Sequence, residues 1–429
     1  MKLIKQKFDY LQKSKFVRGV VVLATGTVAA QLVGILVTPL ITRLYGPEEF
    51  GQLGVFMNIL SVMTPLVALC YPIAIVLPKE KGSAVDVARL ALFITCIVSL
   101  FSLLLLLFTP SSLLVNLGFP AFPLWLWAIP FALFFGGILQ ICQQWMIREK
   151  QFGMLAKASF YQSIFVNVGK IVLGAINPVG IMLIVMATLA SIIHAVILFP
   201  GLKTLNKGDA WDTERIKSMA KQYIDFPIYR APQTFINALS QGFPVFFIAS
   251  FFGVKEAGFY TLATSIMGIP TALIGKSIND VFYPRIAEMA YKGGKVGDLL
   301  VRSSMLLAGL GFFPYTLIFF MGAWVFSLVF GSEWAVAGEY ACWLSLWFYS
   351  MLFTTTCASS LPVLGIQKFG LIFTVFKITI RALVVYIGCF IMKNPLDVVW
   401  LLGVSGFVVN VIFLVMVLRA ARGKDASLI

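Results

Sequence analysis

Gly46-Pro47-Glu48-Glu49-Phe50-Gly51-Gln52-Leu53 returns 207 positions later as Gly253-Val254-Lys255-Glu256-Ala257-Gly258-Phe259-Tyr260. Each copy has an acid at its fourth place and a second glycine five residues after the first. Each falls in a short polar break between two long apolar stretches. Leu77-Pro78 pairs with Tyr283-Pro284 at offset 206, and Gln151-Phe152-Gly153 with Lys368-Phe369-Gly370 at offset 217. The order and near-constant spacing read as one unit written twice.

The unit is a membrane unit. The 429 residues are 60% hydrophobic and 12% charged, which excludes a soluble globular domain and a disordered chain. A spanning helix needs about 20 mostly apolar residues. Twelve stretches qualify: 17–41, 51–77, 88–108, 122–147, 159–176, 179–200, 226–251, 256–282, 303–330, 335–362, 370–392 and 396–418. Only Asn177-Pro178 divides the fifth from the sixth. The fold expected is all-α and polytopic, about twelve transmembrane helices in two six-helix lobes. Six spans per half make the repeat parallel, and both termini cytoplasmic. The lobes are residues 1–200 and 226–429, joined by a cytoplasmic linker over 201–225. Within the linker, Asp212-Thr213-Glu214 reads as a helix cap. Met1–Phe16 spaces Ile4, Phe8 and Leu11 helically among lysines, as an interfacial helix does.

The net charge of +15 follows mostly from topology, since cytoplasmic loops carry excess Lys and Arg. With the N-terminus inside, 25 of the 33 basic residues fall in inside segments, and Arg43, Lys255 and Lys393 fall outside. Nucleic acid is therefore not an expected partner. The remaining five, Lys170, Arg230, Lys276, Lys377 and Arg381, sit within spans, where a charge costs from a few to roughly ten kcal/mol. Asp280 is the one clear acid beside them. An interior biased this way suits an anion.

Lys377 and Arg381 are four apart and share one helix face. Either they flank a polar cavity, or Lys377 snorkels while Arg381 bonds carbonyls of another helix. Lys170 reads as lying near the middle of its span, beside Asn167. Arg230 is a ligand, a snorkelling residue or a partner of Asp225. Lys276 pairs with Asp280 one turn on, unless Asp280 is a titratable coupling site. The amides Gln31, Asn58, Gln140, Gln143, Gln144, Asn237, Gln241 and Asn279 suit either sugar hydroxyls or helix–helix contacts. His194, the one histidine, reads as packed between helices. Six cysteines without a CxxC pair imply neither disulfides nor a metal cluster. Gly275-Lys276-Ser277 lacks the first glycine of a phosphate loop, and neither HExxH nor GxSxG occurs. No catalytic centre and no metal site is expected.

The run Thr38-Pro39-Leu40-Ile41-Thr42-Arg43-Leu44-Tyr45 leading into Gly46–Gly51 resembles the opening of bacterial polysaccharide-unit flippases. These are the O-antigen and capsule transporters of the multidrug/oligosaccharidyl-lipid/polysaccharide exporter superfamily. Gly253–Tyr260, Phe226-Pro227 and the twelve-span count extend the likeness over the chain. The resemblance implies two six-helix lobes around a central cavity, and alternating access in the bacterial inner membrane. Its substrate would be an undecaprenyl-diphosphate-linked oligosaccharide, which a cationic interior suits. Expected partners are that polyprenyl-diphosphate-linked glycan, membrane lipids, a polysaccharide polymerase and a chain-length regulator. No organic cofactor is expected; H+ or Na+ would couple through Asp280 or Asp225. No family residue is carried over to the five cations. A lipid II or sporulation-type flippase stays open beside this reading. A drug/cation antiporter of the same superfamily would use membrane carboxylates, and the first span has none. A membrane glycosyltransferase would need acidic residues and a large outside loop.

Overall fold

A computed structural model describes residues 15–109, 124–202, 212–291 and 294–426. Most of the expected Met1–Phe16 helix therefore lies outside the described residues. The first half holds α1 Lys15–Leu44, α2 Pro47–Val67, α3 Lys81–Phe108, α4 Ala128–Arg148, α5 Phe152–Ile176 and α6 Gly180–Leu198. The short α7, Thr213–Gln222, follows. Then come α8 Ala231–Phe252, α9 Val254–Tyr291, α10 Val296–Phe330, α11 Ala335–Leu364, α12 Gln367–Tyr386 and α13 Pro395–Ala426. No strand occurs among the described residues.

Ten of these helices are long and apolar enough to cross a bilayer by length and composition. The other two long ones, α9 and α11, occupy the eighth and tenth expected spans. The fifth and sixth spans separate at Asn177-Pro178. Asn177 is extended (φ −154°, ψ 103°), as the residue before a proline tends to be. Several boundaries differ from expectation. The second span ends at Val67, not at 77, because Leu69 and Cys70 take positive φ (48° and 60°) before a four-residue turn of helix at Tyr71–Ala74. α3 begins at Lys81 and α5 at Phe152, each seven residues early. Hydropathy marks the lipid-facing stretch, whereas the helix continues into the polar layer.

The chain packs as two compact units, Met1–Tyr45 with Gln52–Phe243, and Gly46–Gly51 with Pro244–Ile429. Residues 226–243 thus group with the first unit, whereas the sequence division begins the second lobe at 226.

The core of the first unit is built on α3 and α4, with Trp145, Met146, Ala84 and Ala88 buried. The linker helix α7 docks there. Asp212 caps it, its carboxylate accepting from Glu214 N at 2.9 Å and Arg215 N at 3.3 Å, as the sequence indicates. Arg215 Nε then lies 3.1 Å from the buried Asp86 carboxylate, and Arg89 3.3 Å from its other oxygen. Tyr71 donates its hydroxyl to Ala220 O at 3.1 Å. Arg148 donates to the carbonyls of Ile75 and Pro78, at 3.0 and 2.6 Å, and so holds the turn before α3.

The second unit contains the contact that explains the repeated motif. A Cβ on Gly51 would sit 1.8 Å from Val254 O, and a Cβ on Gly258 would sit 1.8 Å from Pro47 O. The first turns of α2 and α9 thus meet backbone to backbone, and each copy supplies the glycine that the other copy requires. Phe50 and Phe259 both lie edge-on to the buried Trp334, with centroids at 5.0 and 6.0 Å.

Candidate functional site

Three helices of the second unit build a small cationic pocket. α12 brings Lys377 and Arg381 on consecutive turns, α11 brings Trp347 and Met351, and α13 brings Gly406 and Asn410. The sequence explains the close fit of α11 against α13. A Cβ at Gly406 would come within 2.5 Å of the Trp347 ring, so glycine leaves room for the indole. That indole then carries the Arg381 guanidinium, 4.7 Å from the ring centroid.

Lys377 is held by three neighbours. Its ammonium donates to Asn410 Oδ1 at 3.0 Å and lies 4.6 Å from the Phe413 ring and 5.4 Å from the Phe373 ring. Asn410 is buried, and its amide nitrogen donates to Ser350 Oγ at 2.9 Å. Ser350 donates in turn to Trp347 O at 2.6 Å. The Asn410 oxygen therefore faces Lys377 because its nitrogen is already engaged. An ammonium has three donors, and Asn410 takes one. No carboxylate lies among the lining residues, and the cavity beside the two cations has a volume of about 100 Å³. Aromatic faces contribute about 0.5–2 kcal/mol each to a desolvated cation without cancelling its charge. The pocket holds two positive groups in a fixed geometry, and its lining contains no carboxylate. Such a pocket can attract and bind a small oxyanion.

The other sequence candidates lie elsewhere. Lys170 is in the first unit, 18 residues into α5 and six from its end. Its backbone carbonyl accepts from Tyr45 at 3.0 Å, and among the described residues its ammonium makes no hydrogen bond or ion pair. Asn167 turns to Ser163 instead, donating to its carbonyl at 2.8 Å, and Ser163 donates to Ala30 O on α1 at 2.7 Å. Arg230 is exposed on the π-helical turn before α8, and pairing with Asp225, one of the three alternatives for it, does not form. Asp225 itself is exposed. Lys276 and Asp280 fall within α9, with side chains outside the described residues.

Sequence reading missed Asn410, Ser350, Trp347 and the two phenylalanines. An amide inside the apolar run of α13 was the available signal for Asn410. The rings carried none, since aromatic residues are common in any span. Asp86 was also missed, as an acid beside a polar loop looks solvated.

Known proteins resemble the chain in sequence and in fold. Residues 40–339 match the family described as Polysaccharide biosynthesis protein. The succinoglycan biosynthesis transport protein ExoT of Rhizobium meliloti (strain 1021) is 21% identical over 367 residues, covering 81% of this chain and 68% of that protein. Among solved structures, an inward-facing multidrug resistance MATE family transporter of the MOP superfamily superposes with TM-score 0.71 at 14% identity. The alignment covers 97% of this chain and 99% of that one. The lipid II flippase MurJ, in an inward closed conformation, gives TM-score 0.67 at 12% identity, covering 95% and 91%. The fold is that of the MOP exporter superfamily, and the match over most of its length makes the chain a member of the polysaccharide biosynthesis protein family.

Proposed function

We propose that the protein is a flippase for polyprenyl-diphosphate-linked oligosaccharides in surface polysaccharide synthesis. It would act in the bacterial inner membrane, by alternating access. The observation that carries this reading is the pocket of Lys377 and Arg381, two fixed cations without a lining carboxylate. A diphosphate is the anion common to such lipids, and an ammonium with unused donors beside a guanidinium suits its oxygens. The prenyl tail would stay in lipid while the headgroup crosses. Lys170 and Arg230 do not line the pocket and would serve at most to attract the anion. Coupling to H+ or Na+ through Asp280 or Asp225 belongs to the same proposal, as do a polymerase and a chain-length regulator as partners.

The test is complementation of a strain lacking its own flippase. With Lys377→Ala and Arg381→Ala together, surface polysaccharide should fall by about 100-fold, the result of losing two charged contacts of roughly 1.5 kcal/mol each. Lipid-linked glycan should accumulate in the inner leaflet while protein levels stay normal. Full polysaccharide production by the double variant would end the proposal. Lipid II shares the diphosphate, and the MurJ fold keeps that substrate as the second reading. Rescue of a strain depleted of lipid II transport would favour it.

A further inference from the structure

The first unit contains a larger cavity of different chemistry, about 360 Å³, within the roughly 300–1,000 Å³ range of small-molecule sites. Ser61 and Thr64 on α2, Gln140 on α4, Gln162 on α5, and Ser191 and His194 on α6 form its polar lining. The two α2 residues are three apart, as are the two on α6, so each pair presents one helix face. No charged residue lines the cavity.

Hydroxyls within these spans usually turn back on their own helix. Thr25, Thr38, Thr95, Thr188 and Thr354 each donate to the carbonyl four residues earlier. In the cavity Thr64 keeps that habit, donating to Leu60 O at 2.6 Å, and several of its neighbours do not. Among the described residues, the side chains of Ser61, Gln162, Ser191 and His194 make no hydrogen bond. His194 is only 8% exposed, and its Nε2 is buried without a partner. Gln140 donates one long bond, 3.4 Å to Thr64 O, which leaves its amide oxygen free. A buried polar group without a partner is unfavourable, so the buried Nε2 of His194, beside the unbonded but more open Ser61, Gln162 and Ser191, calls for an occupant that supplies a partner.

The lining narrows the class of that occupant. A cation would want a carboxylate and an anion would want a base, and the cavity has neither. An acyl chain would leave the imidazole and the amides unpaired. A neutral ring with many hydroxyls fits both parts, its edges bonding the polar groups and its faces lying on Met57, Leu60 and Leu133. We infer that this cavity of the first unit binds an uncharged sugar ring, with His194 and Gln162 as hydrogen-bonding partners of its hydroxyls. The inference rests on the flippase reading only for the origin of the sugar, which would belong to the transported glycan.

Lactose is the probe, with the full chain in nanodiscs free of sugar-headed detergent and binding read by saturation-transfer NMR. Wild-type protein should saturate the lactose ring protons. His194→Leu and Gln162→Leu, on different helices, should each weaken binding about fivefold, as the loss of one hydrogen bond does. Neither variant should lower the melting temperature, because replacing an unpartnered buried polar group by an apolar one is neutral or stabilising. No saturation in wild type, equal saturation in both variants, or a lowered melting temperature in both would overturn the inference. Pyrophosphate binding by the same samples, read by calorimetry, follows the separate diphosphate reading, so either proposal can fail without the other.

Discussion

The two units tie down their third helices with opposite polarity. In the first, the acid sits on the third helix and the base on the element that trails the sixth: Asp86 of α3 against Arg215 of α7. In the second, the acid lies in the last turn of the sixth helix, and the third offers it backbone amides. Asp425, at the end of α13, accepts from Val296 N at 3.0 Å and Gly297 N at 2.7 Å, capping α10. The interiors differ in the same manner. One unit surrounds its cavity with neutral hydroxyls, amides and an imidazole, while the other sets a lysine and an arginine against aromatic faces. A duplicated fold keeps the places where it must be fastened, and leaves free the chemistry that fastens them.

The comparison is tested most severely where the repeats are equivalent. Gly51→Ala and Gly258→Ala each place a methyl group 1.8 Å from a carbonyl oxygen, so the first turns of α2 and α9 must separate. Overpacking of this kind costs about 3 kcal/mol, and here backbone must move. Both variants should melt several degrees lower in detergent, by similar amounts. A large loss in only one would break the equivalence. Next comes the pair of fasteners. Asp86→Ala leaves Arg89 and Arg215 beside a buried gap and should lower stability by about 2–3 kcal/mol, loosening α7 to added protease. Asp425→Ala removes a cap and should lower stability by about 1 kcal/mol. Equal losses would mean that the swapped polarity has no energetic consequence.

The helices were legible in the sequence because a membrane leaves the backbone few choices. Each apolar run of sufficient length must form its own hydrogen bonds, and ten of the expected runs coincide with helices long and apolar enough to cross. The repeat was legible for a similar reason: Gly51 and Gly258 are fixed by a backbone contact that accepts no other residue. The pocket was only half legible. Lys377 and Arg381 stand out because charge in a span is rare, but the residues that orient them lie on two other helices at separations no local pattern encodes. Asn410 was not among the amides that the sequence singled out. His194 was read as packing, and sequence could not reveal that its Nε2 would be buried without a partner.

Lys170 provides the mildest test of the contrast. It is the charge of the first unit that most resembles the cations of the second, being half-buried in an apolar helix. Its position separates it from them. Six residues from the end of α5 is about 9 Å along the axis, a distance that a lysine stem largely spans by snorkelling. Arg381 lies 14 residues into α12, whose apolar span continues to Met392, and has no such exit. The one hydrogen bond recorded at Lys170 is to its backbone carbonyl, from Tyr45, and any side chain preserves it. Lys170→Met should therefore change stability by less than about 0.5 kcal/mol. Export should fall less than about threefold, a change of roughly 0.6 kcal/mol. A loss as deep as that of the double variant would place a working cation in the first unit, and the division between a neutral cavity and a charged one would no longer hold.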